Sequence, residues 1–161
     1  MKLADVERFL LPVERNDWNE LLAAWKPLIP LESSRWLLSR FGELFLEHKD
    51  GKIGVLQVSS FQYKIIAKGK KDFEEWLVDP DKWSEWFLSP LINHLELSGK
   101  ILKPDCCYSF IKPLGLGGQL TLENVMVIPI REHFGLWGEI FQQIKDVPDG
   151  AEVVLKVERK N

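Results

Sequence analysis

The sequence predicts an α+β fold with a mainly antiparallel sheet, made of an N-terminal three-strand meander plus C-terminal strands and packed with several helices. Strand patterns are grouped between residues 44 and 67, helical patterns occupy residues 70–99, and strand patterns return after Gly99. Grouped strands followed by grouped helices are typical of this class. The chain has 161 residues, 45% hydrophobic and 28% charged, which fits a single globular domain over residues 1–161.

Residues 1–34 are predicted to form a short helical leader. Helical patterns cover Asp5–Leu10 and Asp17–Trp25, and Asp17 is a suitable N-cap for the second helix. Pro27 and Pro30 end the pattern, because proline lacks the N–H that a helix interior needs.

The three-strand meander is predicted from a hairpin and one further strand. Leu44–His48 and Lys52–Val58 flank Asp50-Gly51, a pair that readily adopts the positive φ angles of a two-residue turn. The residues of Phe61–Ala67 alternate between apolar and polar and supply the third strand.

Three helix starts are predicted in the middle of the chain. Asp72 is an expected N-cap, with Glu75 three residues later as a capping partner. Asp79-Pro80 and Ser89-Pro90 each begin another helix with proline at its first turn, and Gly99 ends the last one.

The C-terminal part combines strands with one long amphipathic helix. Strands are predicted at Cys106–Ile111 and Asn124–Ile128, and a final strand at residues 151–159 follows the turn at residues 148–150. The helix that begins near Arg131 has an apolar stripe and an opposite polar face. The stripe consists of Phe134, Trp137, Phe141 and Ile144, and the polar face of Glu139, Gln142 and Lys145.

The glycine-rich stretch "KPLGLGGQL" at residues 112–120 raises the question of a phosphate-binding loop. A P-loop ends in Gly-Lys-Ser/Thr, whereas Gln119 and Leu120 follow Gly118 here. A strand pattern follows instead of the helix N-terminus that binds anions. The glycines therefore favour a sharp turn or a close backbone approach.

No catalytic or metal-binding motif emerges, so we predict a protein that is not an enzyme and that needs no cofactor and no metal. Cys106 and Cys107 are adjacent, which is no disulfide framework and no metal-ligand spacing. His48, His94 and His133 lack the partner spacing of zinc sites. A thiol dyad of Cys107 with a distant histidine is conceivable, but one thiol of a strand pair should point into the core and be inert.

The net charge of −3 argues against direct nucleic-acid binding, which needs a clustered positive field. The N-terminal sequence shows no signal peptide and the chain no membrane span, so a cytoplasmic protein is expected.

One surface patch is a candidate binding site for a basic partner. Residues 72–86 contain six acidic residues and three Trp against the single Lys82. One interpretation is an ordinary helix pair with an acidic outside and a Trp core. The other is a partner-binding face in which charge accelerates association and an aromatic side chain anchors the complex. The candidate residues are Asp72, Glu75, Asp79, Asp81, Glu85 and Trp86.

Several motifs in a fixed order resemble the C-terminal domain family of type VI secretion immunity proteins, which neutralise DNase toxins. They are Phe41-Gly42 with Asp50-Gly51, Cys107-Tyr108-x-Phe110, Leu116-Gly117-Gly118 with Asn124, His133, Gln143 and Pro148-Asp149-Gly150. The resemblance covers roughly residues 35–150 and implies an immunity-protein-like α+β core over residues 35–161. The better-known members have a larger GAD-like domain before this one, and the leader here is too short to be an independent domain.

The resemblance implies a cytoplasmic bacterial protein that binds and neutralises a cognate toxin, expected to be a basic nuclease-like protein, without catalysis. Two alternatives stay open. One is a small-ligand or regulatory module with a pocket near Tyr108, Phe110 and the glycine-rich turn, and the other is an enzyme of unrecognised type.

Overall fold

The computed structural model describes residues 3–155, which contain seven strands and five α-helices. In chain order they are β1 (Leu10–Leu11), α1 (Trp18–Leu21), β2 (Ser33–Ser39), β3 (Leu44–His48), β4 (Ile53–Gln57), β5 (Gln62–Ala67), α2 (Lys70–Trp76), α3 (Pro80–Phe87), α4 (Ser89–Leu97), β6 (Cys106–Phe110), β7 (Val125–Pro129) and α5 (Ile130–Ile144). Short 3-10 turns lie at Leu3–Phe9, Ala23–Trp25, Val58–Ser60, Leu114–Leu116 and Leu122–Asn124. None of the helices in this part of the chain is both long and apolar enough to cross a membrane.

The larger sheet contains β1 to β5 in sequence order, and every neighbouring pair is antiparallel. The α+β class and the meander β3-β4-β5 are confirmed. The sequence did not predict β1 and β2, which extend the sheet at one edge. The register of β2 shifts between Arg35 and Leu37, and this irregularity disrupts the two-residue period by which a strand is recognised.

The hairpin between β3 and β4 has a longer loop than predicted. The backbone N–H of His48 donates to Lys52 O, so three residues, Lys49 to Gly51, form the loop. Gly51 has a φ of 90°, and Asp50 Oδ1 accepts a hydrogen bond from the N–H of Lys52. A three-residue loop with glycine in the left-handed region is the next commonest hairpin connection after the two-residue turns.

The smaller sheet pairs β6 with β7 antiparallel, from Cys106 opposite Pro129 to Phe110 opposite Val125. The backbone N–H of Tyr108 donates to Arg40 O at 2.7 Å, which ties β6 to the end of β2. The two predicted C-terminal strands are thus confirmed, each within one residue of its expected bounds.

The larger sheet is the middle layer of the fold, because alternate residues of its strands enter different cores. Phe45 belongs to a core with residues of α2, α3 and α4, such as Phe73 and Phe87. Leu44 and Leu46 belong to a second core with α1 and α5. Helices therefore cover both faces of the sheet.

Side-chain caps mark the starts of two of the five described α-helices. Asp17 is the N-cap of α1, as predicted, and accepts a hydrogen bond from the N–H of Glu20. The start of α3 at Pro80 is also as predicted, and Asp79 is its N-cap, with a hydrogen bond from the N–H of Asp81. The prediction for Asp72 is wrong, since α2 begins at Lys70 after Gly69. Asp72 stands in the first turn and accepts a hydrogen bond from the N–H of Lys68 at 2.8 Å. A carboxylate in the first turn still stabilises the positive end of the helix dipole.

The N-terminal and C-terminal predictions were partly wrong. Leu3–Phe9 is a 3-10 turn instead of an α-helix, and α1 ends at Leu21. Residues 151–155 form no strand, and residues 156–159 of the predicted final strand lie outside the described residues. The apolar stripe of α5 is confirmed, with Phe134, Trp137 and Phe141 buried.

Candidate functional site

The six candidate residues lie on α2, on α3 and at the turn between these helices. Asp72 and Glu75 belong to α2, Asp79 precedes α3, and Asp81, Glu85 and Trp86 belong to α3. The structure brings the two helices together through Trp76 and Trp86, whose ring centroids are 6.5 Å apart. We call this surface, from Asp72 to Trp86, the acidic face.

The acidic residues of this face have two different roles. Asp72 and Asp79 are half-buried and hydrogen-bond to the backbone at the starts of the two helices. Glu75, Asp81 and Glu85 are exposed, and the described residues provide no ion-pair partner for their carboxylates. The second group therefore presents uncompensated negative charge to the solvent.

The tryptophans of the acidic face are mostly structural. Trp83 and Trp86 are half-buried against the core of α2, α3 and α4, and the Trp83 ring lies 5.7 Å from that of Phe9. Trp76 is also half-buried, with Lys82 Nζ 5.6 Å from its ring centroid. Val78, between the helices, is 67% exposed and adds an apolar contact point that the sequence did not single out. Trp86 is thus less available as an anchor than Trp76 or Val78.

Glu43 and Ser59 form a buried polar cluster that the sequence did not predict. Glu43 is buried and accepts a hydrogen bond from Ser59 Oγ at 2.9 Å, while its Oε2 atom has no partner within the described residues. Burial raises the pKa of Glu43 to about 8, against smaller opposite effects of hydrogen bonds from Ser59 and Val58. Glu43 is therefore largely protonated at neutral pH.

His133 forms a second buried group with Ser109 and Trp137. Ser109 Oγ lies 2.9 Å from His133 Nδ1 and accepts a hydrogen bond from Trp137 Nε1 at 2.8 Å. Burial lowers the pKa of His133 to about 4, against a smaller opposite effect of the Gly42 backbone. The ring is neutral at physiological pH and packs against Gly42, where a Cβ atom would lie 2.3 Å from Nε2.

We expect Ser109→Ala to destabilise the protein by about 2 kcal/mol, because it leaves two buried polar groups without their shared partner. Urea denaturation at pH 7 measures the loss. Ser34→Ala is the control, since Ser34 is exposed on β2, and should change stability by less than about 0.5 kcal/mol. Equal stabilities of the two variants would contradict a role for the hydroxyl of Ser109.

Two further reactive side chains, Cys107 and His48, are held by burial and by a hydrogen bond. Burial raises the pKa of the Cys107 thiol far above its usual value, which leaves it protonated. His48 Nε2 hydrogen-bonds Tyr63 Oη on the sheet. Within residues 3–155, no group of three or more His, Cys, Asp or Glu side chains is placed to hold a metal ion.

The glycine-rich turn is a closed backbone corner, as the sequence favoured. Asn124 holds it with side-chain hydrogen bonds to Lys112 N, Lys112 O and Gln119 O, at 2.9, 3.0 and 2.9 Å. A Cβ atom on Gly118 would lie 1.8 Å from Lys112 O. The turn is followed by a 3-10 turn and β7, so no α-helix begins directly after it.

Tyr108 and Phe110, near which a pocket was expected, are both buried in the core. A cleft of about 400 Å³ instead lies between the segment after β1, Arg40 and the loop from Ile101 to Cys106. The sequence carried no signal for it, since its walls come from segments that are far apart along the chain.

The fold and the acidic face define a layered α+β protein with an exposed, negatively charged helix pair. Residues 67–141 match the family model described as "T6SS immunity protein Tdi1, C-terminal", where T6SS stands for type VI secretion system. The resemblance to type VI secretion immunity proteins is thereby confirmed over a segment of just under half of the chain, which includes all of α2 and α3. A comparison with curated proteins finds no significant match.

Proposed function

We propose that this protein is a non-catalytic immunity protein that binds and neutralises a secreted toxin, a nuclease with a basic substrate groove. The observation that carries the proposal is the match of residues 67–141 to an immunity-protein family. The acidic face lies within that segment and is the surface we assign to the toxin.

The proposed mechanism is steric and electrostatic, and it requires no bond to be made or broken. Glu75, Asp81 and Glu85 are exposed carboxylates that would occupy the positions of substrate phosphates in a basic groove. Trp76 and Val78 would supply apolar contact at the centre of the interface, where binding energy concentrates. Asp72, Asp79 and Trp86 would hold the two helices in place.

The proposal places binding in the bacterial cytoplasm. Cys106 and Cys107 are both free thiols in the structure, which fits a reducing compartment. The net charge of −3 supports attraction to a basic protein and disfavours direct contact with nucleic acid.

Charge reversal of the three exposed acids tests the surface. We expect Glu75→Lys/Asp81→Lys/Glu85→Lys to weaken binding at least about tenfold and to flatten the salt dependence of association. The probe is the cognate nuclease toxin in a catalytically inactive form, with affinity measured by calorimetry at two salt concentrations.

The matched control is Glu14→Lys/Glu123→Lys/Glu139→Lys, which changes the net charge equally at exposed sites outside the acidic face. This variant should retain wild-type affinity within about threefold, because distant exposed charges are screened by salt. Equal weakening by both variants would exclude the acidic face as the specific surface. The absence of any complex between the wild-type proteins would overturn the proposed function itself.

A further inference from the structure

We propose that the cleft beside Arg40 is a binding site for a small organic anion, a molecule with a carboxylate or phosphate group on an apolar body. The cleft holds about 400 Å³, within the usual range for small-molecule sites. It is separate from the acidic face, and the proposal does not depend on the proposed function.

Two residues of the cleft lining each carry a buried hydrogen-bond donor that has no partner among the described residues. The donors are Asn16 Nδ2 and Arg40 Nε, both inaccessible to solvent at the atomic level. A buried donor without a partner costs about 1–3 kcal/mol, so native proteins keep such atoms rarely and for a reason. If the side chains of Asn16 and Arg40 turn toward the cleft, an oxyanion that accepts both hydrogen bonds would remove this cost.

The charge around the cleft favours an anion. Three cationic side chains line it, Arg15, Arg40 and Lys103, against the two carboxylates of Glu96 and Asp105. The carboxylate of Glu96 is shared, because Oε1 pairs with Arg40 Nη1 and Oε2 lies 3.4 Å from Arg8 Nη2.

Arg15 and Lys103 have no ion-pair partner within residues 3–155. The excess positive charge is notable in a chain with a net charge of −3, which otherwise repels anions.

The walls of the cleft are fixed by backbone hydrogen bonds before any ligand enters. The N–H of Arg40 donates to Phe9 O at 3.0 Å, and the N–H of Cys106 donates to Lys103 O at 3.2 Å. Asp105 has a φ of 60°, and its carbonyl accepts the N–H of Ile130 at 2.9 Å. A site whose backbone is held in place loses less conformational entropy on binding, which leaves only side chains to adjust.

The apolar part of the lining fits an apolar body on the ligand, next to its anionic group. Leu11, Ile101, Leu102 and Ile130 contribute to the cleft, and Ile101 is 67% exposed. A few polar donors within a largely apolar wall are typical of sites for small organic molecules. Arginine binds carboxylate and phosphate through the same fork of N–H groups, so the geometry points to the shared oxyanion chemistry.

Titrations with benzoate, phenyl phosphate and inorganic phosphate test the proposal, with ionic strength held constant by chloride. The readout is nitrogen-15 NMR of two side-chain signals, Arg40 Nε–H and Asn16 Nδ2–H. We expect saturable shifts of both signals with benzoate or phenyl phosphate, and the stronger of these two identifies the anionic group. Tighter binding of phenyl phosphate than of inorganic phosphate would support the role of the apolar wall.

The matched variants are Arg15→Ala/Lys103→Ala, which removes two exposed cations of the cleft, and Lys64→Ala/Lys145→Ala, which removes two exposed cations elsewhere. The first should raise Kd at least tenfold, and the second should leave it within twofold. Asn16→Leu keeps the approximate shape of the side chain without its donor and should also raise Kd at least tenfold. Linear, unsaturable shifts in the wild type, or equal losses in both double variants, would overturn the proposal.

Discussion

Replacing Gly118 with alanine is expected to destabilise the protein by about 3 kcal/mol. The new Cβ atom would lie 1.8 Å from Lys112 O and 2.9 Å from Pro113 O, both of which are backbone atoms. Backbone cannot rotate out of the way as a flexible side chain does. The turn must open, and it loses the hydrogen bond from Gly118 N to Pro113 O and those of Asn124 to Lys112.

Gly135→Ala is the control for this prediction. Gly135 lies on the exposed side of α5, where an added methyl group would have no neighbouring atom within 4 Å, and alanine favours a helix by about 1 kcal/mol over glycine. We therefore expect this variant to be as stable as the wild type or slightly more stable in urea denaturation. A Gly118→Ala variant of unchanged stability would show that the turn is not held as closely as described.

The second large effect concerns pH. The wild type is expected to lose free energy of unfolding between pH 6.5 and 8, and Glu43→Gln is expected to abolish most of this loss. The folded-state pKa of Glu43 is about 8, above the usual glutamate value of 4.5. The folded state therefore binds this proton more tightly than the unfolded state, and its contribution falls as pH rises from 4.5 to 8. His133 acts in the opposite sense, since its pKa of about 4 lies below the usual histidine value of 6.5.

The two contributions together define the window of the experiment. Between pH 4.5 and 6.5 the contributions of Glu43 and His133 to the free energy of unfolding change in opposite directions. Above pH 6.5, of these two, only the contribution of Glu43 continues to fall. Over the remaining interval of about 1.5 pH units, the wild type should lose about 2 kcal/mol, at about 1.36 kcal/mol per pH unit. A neutral amide at position 43 has no proton to lose in this range.

Urea denaturation at half-unit intervals of pH measures this difference. Glu139→Gln serves as the control, because Glu139 is exposed on α5 and its replacement should leave the wild-type slope unchanged. The same alkaline slope in Glu43→Gln and in the wild type would show that another group is responsible.

Local signals in the sequence predicted those parts of the fold that depend on neighbouring residues. The cap at Asp17, the start of α3 at Pro80, the glycine at the end of α4 and the hairpin at Gly51 all follow from backbone requirements within a few positions. The strand β2 was missed because its register shift breaks the alternation of side chains. Asp72 was misassigned because a carboxylate within the first turn produces nearly the same pattern as an N-cap.

For the candidate site, the sequence predicted the exposure of the acidic side chains but not the burial of the aromatic one. The acids Glu75, Asp81 and Glu85 are exposed, as charged residues without partners almost always are. The burial of Trp86 depends on packing against distant parts of the chain, and sequence spacing does not report that. The buried Glu43 and His133 and the cleft at Arg40 required the tertiary fold, since their partners are far away along the chain.

The two hydrophobic cores also limit which chain segments can be exchanged between related proteins. Trp25 Nε1 donates to Phe134 O at 3.1 Å, and Gly138 of α5 packs against Ala24 and Trp25. Leu44 and Leu46 of β3 enter the same core as α5. Residues 67–141 therefore share both cores with the rest of the chain, and a chimera that transplanted this segment alone would leave apolar surfaces facing water.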